Sequence, residues 1–496
     1  SILLKGDGIA RFSNELTAPD NTNLYSQAYT KVLKLGEAGK KDNYNSNVII
    51  LKSGLNAGGT VAEKAAALRI TDKLESNGNK VIAGVNKTDN AAPVEGERFA
   101  QSENFSLDPT DFTVNTDNAN NTTWASAGEW FMANGQAKAE DGVEPDKQIV
   151  FMKNEKIART PVVVKDNESQ TEKAFASYQK ALEYIGQQIG TSFTVTNLRP
   201  MEFDKKDAEA LKTLVGTGKS ITFTGAKEGA GVPIYGECYH IRFRVSDVEL
   251  PTDHEITWNQ PVKYDEDALE GSKEGEKDAD LEFFNNGGKV TFGKQFVVAS
   301  VRRQESGVYK ETERTTYVYG GAASGNFSKK VEIHVKAGTF TAIYGGNKAG
   351  SHTGNVNIFL GGTGEKTDNL LLRRLDGAGR EVVKNATNRT AKIESRGEVS
   401  VQNIYSFDKL IVADGILTIP EGAKEKENNI DALSENGFEG TTVLKNKAAL
   451  HLLNSNGIRK MAKLVRPDDE RVSEASLVLA RTKDVDGKTA ADRENP

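Results

Sequence analysis

The chain has 496 residues, of which 37% are hydrophobic and 27% charged, a composition that predicts folded domains and excludes global disorder. Its length predicts roughly two to four domains. The 64 Lys and Arg residues are interspersed with 70 Asp and Glu, giving a net charge of −6 at pH 7. This balance argues against nucleic acid as a partner, because nucleic-acid binders concentrate basic residues on one face.

Cysteine content and hydropathy narrow the class of protein further. Cys238 is the single cysteine, which excludes an intrachain disulfide and predicts a small buried residue there. No run of about 18 apolar residues occurs, so no membrane-spanning helix is predicted. The first residues lack a signal-peptide pattern and the last ones lack an anchor motif, so we expect both ends to be cuts in a longer protein.

Short apolar runs separated by polar stretches predict that residues 1–170 form an N-terminal β-rich domain. The order of its strands is not predicted. The apolar runs at 48–51 and 161–164 are typical of buried strands. Residues 113–123 (TVNTDNANNTT) predict an exposed turn or loop. Residues 62–76 predict a short helix that ends near the following Asn-Gly pair.

A helix followed by strands is predicted from residue 171 onward. Apolar residues recur at three- and four-residue steps across 171–190, which predicts one buried helix face. Residues 193–196 alternate as a strand, residues 207–214 predict a second short helix, and residues 220–225 alternate again. These elements predict a helical cap at the start of a strand-rich region.

Strands separated by turns follow the predicted cap. Residues 281–284 and 289–293 flank an Asn-Asn-Gly-Gly turn, a strong reversal signal. Residues 264–280 are highly charged and predict a solvated loop. Calcium binding is the alternative for that loop, but the ordered Asp spacing of a calcium loop is missing.

The strongest pattern is a 25-residue repeat within residues 319–363. Seven residues match at this one offset: Tyr319/Tyr344, Gly320/Gly345, Gly321/Gly346, Gly325/Gly350, Val331/Val356, Ile333/Ile358 and Val335/Leu360. The glycines suit sharp turns, and the alternating residues suit a strand with one buried face. Repeats of this length are typical of stacked architectures, in which each unit buries its apolar face on the next.

The series of short strands is predicted to continue to about residue 480. Its members are residues 391–394, 399–404, 410–412, 416–420, 442–444, 449–453 and 477–479. Residues 421–429 predict a solvated insertion, and residues 481–496 predict a polar exit linker or tail.

These patterns together resemble a known family. The Tyr-Gly-Gly unit, the helix-then-strand segment 175–225, the Asn-Gly-Gly turn and strand at 286–293 and the strand at 406–412 are similar to β-helix regions of large bacterial cell-surface proteins, the pectate-lyase-like adhesins. The resemblance covers residues 171–480. It implies a mainly β chain in which this segment is a right-handed parallel β-helix, or solenoid, with a helical cap at its start.

The same resemblance implies an extracellular protein of the cell surface. We expect a non-catalytic adhesin or structural stalk that binds a host or matrix glycan or protein. A polysaccharide lyase or glycoside hydrolase is an alternative, although such enzymes need carboxylates on adjacent strands of one face and the acids here are spread through loops. A self-assembling surface-layer or fibre subunit is a second alternative, because exposed strand edges favour pairing between copies.

Each chemical motif has a plainer structural interpretation. Residues 214–220 look like a phosphate loop, but Thr213 occupies the place of the first glycine and a strand follows, so we predict a turn into a strand. His240 would share a strand face with Cys238, yet proximity in sequence does not make a catalytic pair. Residues 253–255 (Asp-His-Glu) predict a solvated turn.

The remaining arginine and histidine residues also predict no catalytic or metal site. Arg302-Arg303 has no acidic partner motif nearby. The five histidines show no metal-ligand spacing, and His334, between two inward positions, is predicted to point outward. The sequence therefore predicts no catalytic, cofactor-binding or metal-ligating residues and no cofactor.

Overall fold

The computed structural model describes twenty stretches of the chain. They are residues 2–4, 10–13, 28–35, 48–52, 68–76, 78–85, 92–117, 123–216, 218–227, 231–264, 280–299, 301–305, 308–312, 316–363, 370–382, 388–419, 441–445, 448–452, 463–465 and 476–479. Within these residues the protein is mainly β, with parallel sheets and three α-helices, so the predicted mainly-β class is confirmed.

The described residues of the N-terminal region, as we name residues 1–153, form ten strands. They are β1 Ile2–Leu4, β2 Ala10–Ser13, β3 Ala28–Leu35, β4 Val48–Lys52, β5 Leu68–Glu75, β6 Val81–Val85, β7 Arg98–Ser102, β8 Phe112–Val114, β9 Trp130–Asn134 and β10 Gln148–Lys153. The first eight alternate between two parallel sheets, β1-β3-β5-β7 and β2-β4-β6-β8. Antiparallel β10 and β9 complete the first sheet.

The predicted helix at 62–76 is wrong where the structure describes it. Residues 68–75 form strand β5, which pairs in parallel with β3 and β7. Leu68 and Ile70 are buried at alternate positions in the same core, as in a strand with one inward face. Tertiary pairing therefore overrides the helix-forming residues that suggested the prediction.

The second region holds the remaining elements. Its strands are β11 Val162–Asp166, β12 Glu172–Phe175, β13 Ser192–Asn197, β14 Met201–Phe203, β15 Ser220–Gly225, β16 Ile241–Phe243, β17 Asp247–Glu249, β18 Glu255–Asn259, β19 Pro261–Tyr264, β20 Leu281–Phe284, β21 Lys289–Phe292, β22 Val297–Ala299, β23 Val301–Glu305, β24 Val308–Thr312, β25 Thr316–Tyr319, β26 Asn326–Phe327, β27 Val331–Val335, β28 Gly338–Tyr344, β29 Ala349–His352, β30 Val356–Leu360, β31 Leu370–Asp376, β32 Glu381–Val382, β33 Arg389–Ile393, β34 Glu398–Tyr405, β35 Lys409–Val412, β36 Ile416–Ile419, β37 Thr441–Leu444, β38 Ala449–Leu452, β39 Lys463–Val465 and β40 Ser476–Leu479. The helices are α1 Glu155–Arg159, which connects the two regions, α2 Tyr178–Gln187 and α3 Lys205–Lys212.

Three largely parallel sheets dominate the second region, and from β17 to β22 the chain visits them in rotation. The twelve-stranded sheet has the order β12-β11-β13-β15-β18-β21-β27-β30-β33-β35-β37-β39. The nine-stranded sheet is β17-β20-β25-β28-β31-β34-β36-β38-β40, and the sheet that we name the β14 sheet is β14-β16-β19-β22. Within the twelve-stranded sheet β11 pairs antiparallel with both β12 and β13, and the pairings from β13 onward are parallel. Smaller sheets are the parallel β26-β29-β32 and the antiparallel pair β23-β24.

Apolar side chains of the three large sheets meet in one core that runs from Val162 to Leu450. Aromatic rings fill its early part: the rings of Phe223 and Trp258 stack with centroids 4.4 Å apart. Further along, branched residues of β27 stack on those of β30, as Ile333 does on Ile358. The N-terminal region has a separate core, so the chain buries its apolar residues in two main bodies.

The predicted helices near residues 171–190 and 207–214 are confirmed with shifted ends. Helix α2 begins after Ser177, whose side chain accepts a hydrogen bond from the Lys180 amide. Helix α3 begins after Asp204 in a capping box with Asp207. Phe175, assigned to the first helix by its spacing, lies in strand β12 instead.

Five of the six glycines of the 25-residue pattern lie where two layers of chain approach closely, and Gly325 has open space around it. A Cβ on Gly321 would stand 1.8 Å from Asn347 Oδ1. That oxygen accepts the Ala322 amide at 2.9 Å, and Asn347 Nδ2 donates to the carbonyls of Gly325 and Ser351. Asn347 is completely buried, so the amide side chain and the glycine fix the turn together.

The offset between paired strands is constant for only one step. Val331 pairs with Val356, 25 positions later, whereas Val356 pairs with Arg389, 33 positions later. Thr390 pairs with Lys409 after only 19 positions. The connections therefore differ in length while the strands stay in register.

Candidate ligand-binding face

The twelve-stranded sheet has one side buried in the core and one side directed away from it. In β13, Phe193 and Val195 are buried, while Thr194 and Thr196 between them are partly exposed. The same alternation continues in the parallel strands that follow. We name this second side the outer face; its residues in β13, β15, β18, β21, β27, β30, β33 and β35 are 192, 194, 196, 220, 222, 224, 255, 257, 259, 289, 291, 332, 334, 357, 359, 390, 392, 409 and 411.

Threonines form the first part of a central column on the outer face. Thr194, Thr222, Thr257 and Thr291 lie in register on four successive strands. Strands lie about 4.8 Å apart, and β-branched side chains have few χ1 rotamers, so the column presents hydroxyl and methyl groups at a regular spacing. All four are partly exposed, and Thr194 Oγ1 donates to Asn167 Oδ1 at 3.1 Å.

Two aromatic rings continue this column. The rings of His334 and Phe359 stack in register, with centroids 4.4 Å apart and planes 10° from parallel. The His334 Nε2 atom lies 2.8 Å from Glu332 Oε1. His334 is partly exposed between buried Ile333 and Val335, which confirms the prediction that it points outward.

Charged groups flank the rings. Lys330 Nζ donates to Glu332 Oε2 at 3.1 Å. Partial burial favours the neutral acid, but hydrogen bonds from His334 and Lys330 outweigh it and lower the pKa of Glu332. Glu332 is therefore ionised at neutral pH. In register with Glu332, the two preceding strands of the sheet carry Lys289 and Glu255, whose side chains form a 3.5 Å ion pair.

The outer face thus offers donors, acceptors and apolar atoms at a fixed repeat. Such a surface can bind a ligand through many small contacts, provided that the ligand repeats with a spacing that matches the strands. A polar polymer lying along the sheet would meet threonines first and then the ring pair with its charged neighbours. The arrangement suits extended binding.

A second aromatic group lies on the nine-stranded sheet, on the side away from the main core. Phe284, Tyr319 and Tyr344 stack with successive centroid distances of 5.1 and 5.2 Å. The Arg374 guanidinium lies 5.4 Å from the Tyr344 ring centroid. Burial raises the pKa of Tyr319, and both tyrosines are inaccessible to solvent. This group is part of the packed interior and presents no exposed surface.

The residues that resemble catalytic or binding motifs in the sequence have structural roles in the fold. Cys238 is buried, as predicted, and burial raises its pKa, whereas a thiolate nucleophile needs a lowered one. His240 Nε2 lies 2.9 Å from Asp108 Oδ2. The side chains of residues 238 and 240 therefore do not act as a nucleophile and its base.

The phosphate-loop look-alike is a turn into a strand, as predicted. Gly216 and Gly218 have positive φ, and strand β15 begins at Ser220. Lys219 points inward: its Nζ donates to the carbonyls of Gln188 and Gly190 at 2.8 and 3.1 Å. This lysine binds carbonyls that follow helix α2.

The Asp-His-Glu turn is only partly as predicted. Asp253 and Glu255 are exposed, but His254 is buried and its Nδ1 lies 2.6 Å from the Thr252 carbonyl. Arg302 and Arg303 lie in β23, paired with β24.

Other predictions fall partly or wholly outside the described residues: of the loop 264–280, only its first and last residues are described; of residues 421–429, none; and of the tail 481–496, none. Across the residues that are described, no three His, Cys, Asp or Glu side chains gather as metal ligands.

The outer face was not identified from the sequence, although a signal for it exists. Thr-x-Thr occurs at 194–196 and again at 222–224, and both copies lie on strands that were predicted. Which strands become neighbours depends on the connections between them. The pairing of Thr291 with His334 spans 43 positions and leaves no local trace.

Comparisons with protein-family models, with curated proteins and with solved structures found no match to this chain. In the part of the chain that the structure describes, none of the helices has the length and apolar character needed to cross a membrane.

Proposed function

We propose that the second region is a right-handed parallel β-helix of a bacterial cell-surface protein, and that it acts as an adhesin or stalk without catalysing a reaction. The observation that carries the proposal is the long outer face, in register over eight strands from β13 to β35. The proposed ligand is an extended polysaccharide of a host or matrix, bound along this face.

The strand order supports a coil. From β17 to β22 the chain passes through the nine-stranded, twelve-stranded and β14 sheets in turn, and every pairing among these sheets is parallel. A chain that returns repeatedly to the same three sheets winds around one core, and parallel crossovers are nearly always right-handed. The single continuous core from Val162 to Leu450 fits that winding.

The chemistry of the outer face supports a polysaccharide over a folded protein as its ligand. Threonine hydroxyls and amide groups pair with sugar hydroxyls, and apolar ring and methyl surface contacts the C–H faces of sugars. Standard protein interfaces instead have an apolar core of large side chains. Of the outer-face residues from β13 to β30, Phe359 is the one large apolar side chain.

Binding to immobilised polysaccharides tests the proposal. The probes are cellulose, chitin, and pectin or alginate as uronate polymers, with collagen as a protein matrix. The test variant combines Thr222→Val, Thr257→Val and Thr291→Val, which keeps side-chain shape and removes three hydroxyls. Thr339→Val is the matched control, a partly exposed threonine on the nine-stranded sheet.

We expect the intact chain to bind one polysaccharide of this panel, the triple variant to lose at least tenfold in affinity, and the control to bind unchanged. Equal binding by the triple variant would contradict the use of this face, and binding to collagen alone would contradict a polysaccharide ligand. Release of reducing ends or unsaturated uronates from any probe would replace the adhesin proposal with an enzyme. Fibres of the purified chain in electron microscopy would support the self-assembling alternative.

A further inference from the structure

A cluster of charged side chains is buried where the two regions meet. Its N-terminal half is the short 3-10 turn Pro109–Asp111 with the preceding Asp108. The Asp108 carboxylate accepts the Thr110 amide and the Thr110 hydroxyl, each at 2.8 Å. All four residues are buried, and the turn lies against the second region. We name residues 108–111 the hook.

The hook faces the β14 sheet. Glu202, Arg242 and Lys263 occupy outward positions in register on β14, β16 and β19. Arg242 Nη1 donates to Asp111 Oδ1 at 2.6 Å and to Thr110 Oγ1 at 2.9 Å.

Asp108 contacts two side chains of the second region, one directly before β16 and one on β19. Its Oδ2 atom lies 2.9 Å from His240 Nε2 and 3.3 Å from Lys263 Nζ. His240, Arg242 and Asp108 are each no more than 3% exposed. These contacts tie one short turn to two adjacent strands.

Further contacts widen the junction beyond the hook. Arg244 Nε donates to Glu202 Oε1 at 2.8 Å, and its Nη2 lies 3.6 Å from Asp111 Oδ1. The Nζ atom of Lys80, the residue directly before β6, lies 2.5 Å from Glu202 Oε1. We name these residues, with Asp108, Thr110, His240, Arg242 and Lys263, the junction lock.

The burial of these charges makes the loss of any one partner costly. A buried ion that loses its partner remains desolvated, so removing one member costs more than an exposed pair contributes. The cluster contains carboxylates and cations from both regions, and three of its ion pairs cross between the regions: Asp111–Arg242, Asp108–Lys263 and Lys80–Glu202. Separation of the regions would break these three ion pairs together.

We infer that the junction lock couples the two hydrophobic cores, so that the N-terminal region and the β-helix unfold as one cooperative unit. If the proposed function holds, the N-terminal region is a fixed end of the stalk and not a hinged module, and this consequence alone rests on that function. This inference needs the junction only and does not depend on what the outer face binds.

Acid should release the lock. Although burial opposes ionisation, contacts with His240, Lys263 and Arg242 hold the pKa of Asp108 well below its ordinary value of 3.8. A lowered folded-state pKa contributes stability that is present above 3.8 and lost as pH falls through the folded value. The two cores should therefore separate in strongly acidic solution and stay coupled at neutral pH.

Pulsed hydrogen–deuterium labelling of the full chain in rising urea tests the coupling. Mass spectrometry follows peptides from β5–β7 in the N-terminal core and from β15–β18 in the second core. The variants are Arg242→Met, the conservative Arg242→Lys and the milder Thr110→Val. Arg389→Met is the control, since Arg389 pairs with Asp408 far from the junction.

We expect both cores to become labelled at the same urea concentration in the parent chain and in Arg389→Met. In Arg242→Met the two midpoints should separate, in Arg242→Lys they should separate less, and in Thr110→Val least. Should Arg242→Met not fold, Thr110→Val and the parent at strongly acidic pH carry the test. Separate midpoints in the parent, or coincident midpoints in every junction variant and in acid, would overturn the inference.

Discussion

The N-terminal and second regions are both stacks of parallel strands, yet they differ in regularity. In the N-terminal region paired residues are 38, 33 and 31 positions apart, as Ala10 pairs with Val48, Val48 with Val81 and Val81 with Phe112. The second region has equally variable steps except around residues 331–360, where a step of 25 aligns glycines and strands together. A parallel stack therefore needs register between strands and not a constant connection length.

The regions also differ in how their stacks end. The N-terminal stack closes with the antiparallel pair β9 and β10, and the second begins with the antiparallel pair β11 and β12. In both regions an antiparallel strand, β9 or β12, therefore forms one edge of the sheet. The regions meet through side chains of the junction lock instead of through a shared sheet.

The largest expected effect compares the two cores directly. Trp258→Ala removes a fully buried indole from a group of stacked rings and should lower the free energy of unfolding by about 3–5 kcal/mol. Phe151→Ala does the same in the N-terminal core, where Phe151 contacts the rings of Phe99, Trp124 and Trp130. Urea unfolding should give similar losses; a loss below 1 kcal/mol at either site would show that its core is not tightly packed.

The next largest effect is expected where a glycine lies too close to a neighbouring turn of the chain to accept a side chain. Gly321→Ala would push a methyl group into the buried Asn347 amide, and overpacking of this kind costs about 2–3 kcal/mol. Gly96 in the N-terminal region has a positive φ but open space around it, so Gly96→Ala should cost only about 1 kcal/mol. Thermal unfolding of both variants compares them, and a reversed order would contradict the packing at the turn.

The buried carboxyl group of Asp207, in the helical cap of the second region, predicts that the free energy of unfolding depends on pH. Burial, partly opposed by backbone hydrogen bonds, raises the pKa of Asp207 to about 7 from 3.8. A raised folded-state pKa gives stability that is full below 3.8 and lost as pH rises through 7. The free energy of unfolding should therefore fall between pH 4 and pH 8, and Asp207→Asn should flatten the slope. An unchanged slope in that variant would exclude this assignment.

The smallest expected effect separates binding from stability. Lys289 and Glu255 form an ion pair on the outer face that is largely in contact with solvent. Lys289→Ala should change the free energy of unfolding by less than about 0.5 kcal/mol. The same variant should weaken polysaccharide binding measurably. A large loss of stability would mean that the outer face supports the fold more than it serves a ligand.

Most strands of the second region were predictable because their apolar residues alternate locally. Residues 220–225 are an example, predicted and found with the same bounds. The two-sheet order of the N-terminal region was not predictable, because Val48 and Val81 lie far apart in sequence and nothing local marks them as partners. The junction lock was missed for the same reason: His240 and Asp108 are 132 positions apart.

Distances along the outer face test the stacked architecture most directly. Spin labels at position 222 and at position 359 or 411, in a Cys238→Ser background, lie four and six strands apart in the twelve-stranded sheet. Parallel stacking predicts electron–electron distances of about 19 Å and 29 Å, a rise of about 4.8 Å for each strand. Distances that do not grow with the number of intervening strands would contradict the account.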